Sequence, residues 1–248
     1  MINLLRIEIN TFLRHWIFPA LIFMSFLFSY MMLDKLFSKG LDMESFLNSG
    51  KETFENSFNT DVTIFVPVIF AGFFLGPDFT NRTLQQKIAS GHSRVNIVVS
   101  KTLFFISTSA FIMLLSPIIT TGIVTYMNGW GEHFEISYYL RVLVLAFLSN
   151  SASSSFLLLI SFLCRDTSKI LLISTTLTLF FVELGDLLIS DFGLLGLIYK
   201  YSSANQISIF LKHNFSHLNL LQVMLPILCI WIFCLLTTIL FFEQLDLN

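Results

Sequence analysis

The sequence predicts an all-α integral membrane protein with six transmembrane helices. Three observations carry that expectation. Apolar residues make up 55% of the 248-residue chain and charged residues only 12%, with a mean hydropathy of +0.78. A soluble domain carries about twice that charge, and a globule this poor in charge cannot coat itself for water. The apolar residues also gather into six runs near the length of about 20 residues that crosses a hydrocarbon layer. The polar residues between the runs then sort by sign. Helices are expected because they satisfy their own backbone hydrogen bonds in lipid, whereas barrel strands would be shorter and would alternate with polar residues. The net charge of −2 offers no basic excess for nucleic acid, and three cysteines without paired spacing argue against a disulfide or zinc scaffold.

The chain is expected to form one membrane domain over residues 1–248, with spans at about 17–36, 57–79, 95–124, 139–163, 169–190 and 218–242. The second run is short between Asp61 and Asp78, so its helix is extended back to about Ser57. The fifth must pass Glu183 and Asp186 to be long enough. Six spans place both termini on one side. Residues 1–16, 80–101 and 164–169 carry Arg6, Arg14, Arg82, Lys87, Arg94, Lys101, Arg165 and Lys169 against only Glu8 and Asp166. By the positive-inside rule these segments, and both termini, are expected in the cytoplasm. The first run is longer than a signal-peptide core and lacks a small-x-small cleavage site after it, so it is expected to be retained.

Residues 2–16 have an amphipathic pattern. Ile2, Leu5, Ile9, Phe12, Leu13 and Trp16 share one helical face and Asn3, Arg6, Asn10 and Arg14 the other. Such a helix lies in the headgroup region, either as a simple anchor or as a lever touching a partner. Between the second and third spans, Thr80 or Asn81 is placed to cap a short helix carrying Leu84, Gln85, Gln86, Lys87 and Ile88. Leu84 and Ile88 share a face, Gly91 suits the left-handed position that ends a helix, and Ser93 can cap the third span. This segment is either a solvated connector or a device that carries motion into the bilayer.

The stretch Asp78-Phe79, Arg82-Thr83-Leu84, Lys87, Gly91-His92-Ser93-Arg94 and Lys101 resembles the corresponding segment of ABC-2 type permeases, the membrane subunits of ABC exporters. Arg82 stands where glycine is common in that family. The six spans, inside termini and amphipathic start agree with it, and the nearest flavour is the bacterial group linked to lantibiotic or bacitracin self-protection. The resemblance implies an N-terminal elbow helix and a coupling helix at about residues 80–91, whose Arg82, Leu84, Gln85, Lys87, Ile88 and Arg94 would meet a separate ATP-binding subunit. It implies a second copy or a related permease as a further partner, beside membrane lipid. It also implies a re-entrant segment between the fifth and sixth spans, for which Gly193 to Ile198 fits.

Inside the membrane, Glu183 and Asp186 are three residues apart on one helix face. They are either a path for a cationic or amphipathic cargo or interfacial carboxylates paired with Lys200 or Lys212. The run Ser149 to Ser155 serves either close helix packing or a polar cargo lining, with Ser151 and Ser154 as the candidate lining residues. Gly72, Gly76 and Pro77 allow a bend in the second span. No phosphate-cradling loop is present, because Gly50-Lys51 is followed by Glu52 and lacks the first glycine. ATP and Mg are therefore expected on the partner, and this chain is expected to hold no cofactor or metal and not to be an enzyme. His213 and His217 alone do not make a metal site. Three functions stay open: the membrane subunit of an ABC exporter moving an amphipathic peptide, lipid or antibiotic, an intramembrane enzyme using Glu183 and Asp186, and a secondary transporter.

Overall fold

The computed structural model describes residues 2–38, 49–58, 65–81, 83–131, 136–191 and 217–243, and among these it contains helices and no strand. In chain order they are α1 (Ile2–Arg14), α2 (Ile17–Ser38), α3 (Gly50–Ser57), α4 (Phe65–Phe70), a π-helical turn (Ala71–Leu75), α5 (Gly76–Thr80), α6 (Thr83–Ala89), α7 (Arg94–Asn128), α8 (Ile136–Cys164), α9 (Thr167–Asp191) and α10 (His217–Glu243). Four of them contain apolar stretches long enough to cross a bilayer: Ile17–Asp34, Arg94–Asn128, Ile136–Cys164 and Met224–Phe242. Phe65–Thr80 and Thr167–Phe180 are shorter apolar helices. The domain is thus membrane-embedded by the length and composition of its helices. Its exterior agrees. Phe23, Phe26 and Tyr30 on α2, Phe111 and Ile118 on α7, and Ile232, Phe233 and Leu236 on α10 are exposed. Apolar surface of that extent suits lipid rather than water.

α7 is the spine. At 35 residues it is about 52 Å long, well over the roughly 30 Å hydrocarbon thickness. It packs against α8, α2, α3, α10 and α1. Serine makes these approaches close and partly polar. Ser109 of α7 donates to the Ser154 hydroxyl of α8 at 2.7 Å, and Ser29 of α2 donates to the Ser116 hydroxyl of α7 at 3.2 Å. Small residues give helices in lipid the contact that hydrophobicity alone does not supply there.

Two segments depart from the expected spans. Ser57, expected at the start of the second span, instead closes α3, a polar helix of its own. Ser49 caps α3 by accepting from the Glu52 amide while the Glu52 carboxylate accepts from the Ser49 amide. α3 lies on the α7–α8 turn: the Gly50 amide donates to the Gly129 carbonyl at 3.0 Å and the Lys51 amide to the Trp130 carbonyl at 3.2 Å. Gly131, at a φ of 98°, keeps that turn against Ser49. Phe54 packs on Tyr139, and Phe58 reaches the Leu114–Ala146 contact between α7 and α8. The hydroxyl of Tyr138 donates to the Glu55 carboxylate at 2.5 Å. α3 therefore covers one end of the α7–α8 pair.

The second departure is the π turn. Gly72 lies within it and Gly76 directly after it, where α9 crosses. A Cβ on Gly72 would stand 2.3 Å from Leu171 Cδ2, and one on Gly76 would stand 2.8 Å from the Thr167 backbone Cα. The glycines expected to permit a bend thus permit a close crossing at the π turn. The proposed re-entrant segment, residues 193–198, lies outside the described residues.

Gly76→Ala is expected to destabilise the domain by about 1–3 kcal/mol, since a backbone atom cannot yield as a side-chain tip can. Gly122→Ala, on an open surface of α7 with nothing within 4 Å, is expected to lose no stability. Thermal unfolding of both variants in the same detergent checks the contrast.

Candidate functional site

The site is built where α1, α5, α6 and the start of α7 meet. Lys101 falls in α7, and its side chain is only 2% exposed. A buried ammonium needs a counter-charge, and two carboxylates supply it. Lys101 Nζ lies 3.2 Å from Glu8 Oε2 and is ion-paired with Asp78 Oδ2. It also sits 4.5 Å from the centre of the Phe74 ring, a cation–π contact. The other oxygen of Glu8 accepts from Lys87 Nζ of α6 at 2.5 Å. The other oxygen of Asp78 accepts from the Thr83 hydroxyl at 2.5 Å. The result is a chain of alternating charge, Lys87–Glu8–Lys101–Asp78, that joins four helices.

Phenylalanines wall the cluster. Phe12 of α1 touches Phe18, Phe70, Phe74 and Phe104 with ring centres 5.1–5.9 Å apart, and Phe70 stacks on Phe105 at 4.9 Å. Burial alone would raise the Glu8 carboxyl, but Lys101 and Lys87 together overcome it and hold Glu8 below the ordinary carboxylate range.

α1 therefore turns in the opposite sense to a single apolar face. Leu4, Glu8 and Phe12, one turn apart, point into the protein, while Ile9, Leu13 and Trp16 stay exposed. Phe12 leaves the group expected to face lipid because the paired carboxylate of Glu8 draws its stripe inward.

The residues expected at an outside subunit are divided by the structure. Leu84 is 2% exposed and belongs to this chain's own core, and Ile88 packs against it. Lys87 is committed to Glu8. Gln85 and Arg94 are half-buried, Gln86 is exposed, and Arg82 lies outside the described residues. Thr80 and Asn81 close α5 instead of opening α6. Gly91 does take the left-handed conformation, at a φ of 90°, and Ser93 does cap α7 by accepting from the Asn96 amide. The surface α6 leaves outward is Gln86, Ala89 and the turn Ser90 to Ser93.

Of the candidate cargo residues, Ser151 and Ser154 are buried. Ser151 donates to the Phe147 carbonyl, and Ser154 donates to the Asn150 carbonyl while accepting from Ser109. The Ser151 hydroxyl is thus bonded within α8, and that of Ser154 also joins α8 to α7. Glu183 and Asp186 fall within α9, and their side chains lie outside the described residues. Among the described residues no group of three metal-ligating side chains is found. The cluster itself was half hidden from sequence reasoning. Lys101 is a lone charge inside the expected third span, a signal for a buried partner. Glu8 gave none beyond its place in a basic segment.

The comparisons with known proteins find no matching family model and no matching curated relative.

Lys101→Met leaves two carboxylates facing one ammonium in a buried space, and a loss of about 3–5 kcal/mol is expected. The pH dependence follows from Glu8. Because its carboxyl is held low in the folded protein, the stabilisation is complete above the ordinary carboxylate value and is lost as pH falls through the lower folded one. Stability is therefore expected to be level from neutral pH to about 5 and to fall below about 4.5. Glu8→Gln should flatten that fall while lowering stability at pH 7, both read from unfolding midpoints across the pH range.

Proposed function

We propose that this chain is the membrane subunit of an ATP-driven exporter of the ABC-2 permease type. In this reading the domain makes six spans in a bacterial plasma membrane with both termini in the cytoplasm. α1 is the elbow helix, α6 the coupling helix, and residues 193–198 the re-entrant segment. A separate ATP-binding subunit holds ATP and Mg, and a second copy or related permease completes the pathway. The cargo is an amphipathic peptide, lipid or antibiotic, with self-protection against an antimicrobial peptide as the matching role.

The observation that carries this reading is the ion chain beneath α6. A short exposed helix is mechanically useful only if a push on it is not absorbed locally. α6 is tied through Lys87 to α1, through Thr83 to α5, and through Leu84 to the core shared with α7. A force on Gln86 and Ala89 would thus move the second and third spans together. The basic bias of residues 1–16, 80–101 and 164–169 agrees with α6 on the cytoplasmic side.

A photo-crosslinker at Gln86 or His92, both exposed, is expected to capture an ATP-binding protein in gently solubilised membranes. Ala89→Trp should abolish the cargo-stimulated ATPase of that complex with its unfolding midpoint unchanged. Labelling of lipid alone at both positions, or full stimulation in Ala89→Trp, would overturn the reading.

A further inference from the structure

α1 presents three faces, and two are accounted for. Leu4, Glu8 and Phe12 enter the protein. On the flank beside them Ile9, Leu13 and, past the end of the helix, Trp16 are 44%, 53% and 60% exposed. Outward of that flank lie Arg6, Asn10 and Arg14, all exposed. Neither Arg6 nor Arg14 has an acidic partner among the described residues. The one acid of α1, Glu8, is spent inside the protein on Lys87 and Lys101. The exposed part of the helix is thus apolar on one side, while the next side, which includes Asn10 and is bordered by the exposed Ile7, has only cations among its charged groups.

We propose that the corner between α1 and α2 binds an anionic phospholipid. Its phosphate, with no headgroup cation to offset it, sits between Arg6 and Arg14, and its acyl chains lie along Ile9, Leu13 and Trp16. Two features favour a lipid over a protein here. The flank leads along the chain into α2, a membrane-length helix whose Phe23, Phe26 and Tyr30 are themselves exposed, and lipid is what covers such a helix. And the flank ends in tryptophan, whose ring and N–H suit the level of the headgroups. Trp16 is fixed there: its ring meets Phe73 of the π turn edge-on at 5.5 Å. His15 adds a donor, since its Nδ1 accepts from the Ile17 amide at 3.3 Å and leaves the Nε2 side for a proton. A lipid held here would touch α1 and, through Trp16, bear on the π turn. The proposal does not rest on the exporter reading, since it concerns only α1 and its neighbours.

The test uses the full chain in nanodiscs of equal phosphatidylglycerol and phosphatidylcholine, with bound lipid counted by native mass spectrometry after release. Wild type is expected to retain phosphatidylglycerol over phosphatidylcholine. Arg6→Gln and Arg14→Gln should each lower that preference about fivefold, and Arg6→Lys with Arg14→Lys should largely restore it. Trp16→Ala should reduce retention of both lipids. Lys169→Gln, at another exposed basic position, should leave the preference intact. The proposal is overturned if wild type shows no preference, if the two glutamine variants keep it, or if Lys169→Gln erases it equally, which would indicate a diffuse basic surface. Unfolding midpoints confirm that each variant is folded.

Discussion

Two ammonium groups and two carboxylates meet at the junction of α1, α5, α6 and α7, with Lys101 and Glu8 buried and Lys87 and Asp78 at the edge, and that neutrality is the constraint around which this end of the bundle is arranged. Each member is tolerable only because the next is present. Lys101 cannot be buried without Glu8 and Asp78, and Glu8 cannot enter the core without Lys101 and Lys87. The energy of such a set resides less in a gain over apolar packing than in the large penalty for breaking it. That asymmetry gives the cluster its mechanical character. A displacement of α6 that separated Lys87 from Glu8 would strand a carboxylate, so the four helices move as one piece or not at all. The phenylalanine wall sharpens the effect by excluding the water that would otherwise screen a partial separation.

The same piece is fastened to α9 by a different force. Gly72 and Gly76 let α9 approach the π turn until Leu171 and the Thr167 backbone fill the room a side chain would need. A π turn carries one residue more than the helix on either side of it can accommodate regularly, and such turns recur at functional positions. Here it lies directly above Asp78 and directly against α9. The far end of α7 is held otherwise, by α3 laid over the α7–α8 turn with its own cap, backbone hydrogen bonds and aromatic contacts. α7 thus runs unbroken between an ionic clamp at one end and an aromatic clamp at the other.

The helical membrane class was legible because it depends on composition and run length, which no tertiary contact can overturn. Gly91 and Ser93 were legible for a similar reason: a left-handed turn and an N-cap are decided within four residues. The start of the second span was not. Polar residues 50–57 form a helix because α7, α8 and Trp130 cover it, and that contact is over 70 residues away in sequence. The orientation of α1 failed for the same kind of reason. Its apolar periodicity favoured Phe12 with Ile9 and Leu13, but the stripe that turned inward is the one holding Glu8, and its partners sit at positions 87 and 101. Leu84 and Ile88 were correctly seen to share a face. Which way that face points depends on packing that a local pattern does not contain.

The burial of Glu8 also decides what α1 shows to its surroundings. Were that carboxylate exposed and unpaired, α1 would show its surroundings a free acid beside its two arginines, and its attraction to an anionic membrane surface would be weaker. By drawing the acid inward, Lys87 and Lys101 convert a mixed sequence into a helix with a cationic exterior. The internal clamp and the external surface are therefore coupled through one residue: a change that releases Glu8 from the lysines would loosen α1 from α6 and α7 and weaken its hold on anionic lipid together. A helix of this construction senses the bilayer and the bundle with opposite faces of the same turn, and Glu8 sets the sign of both.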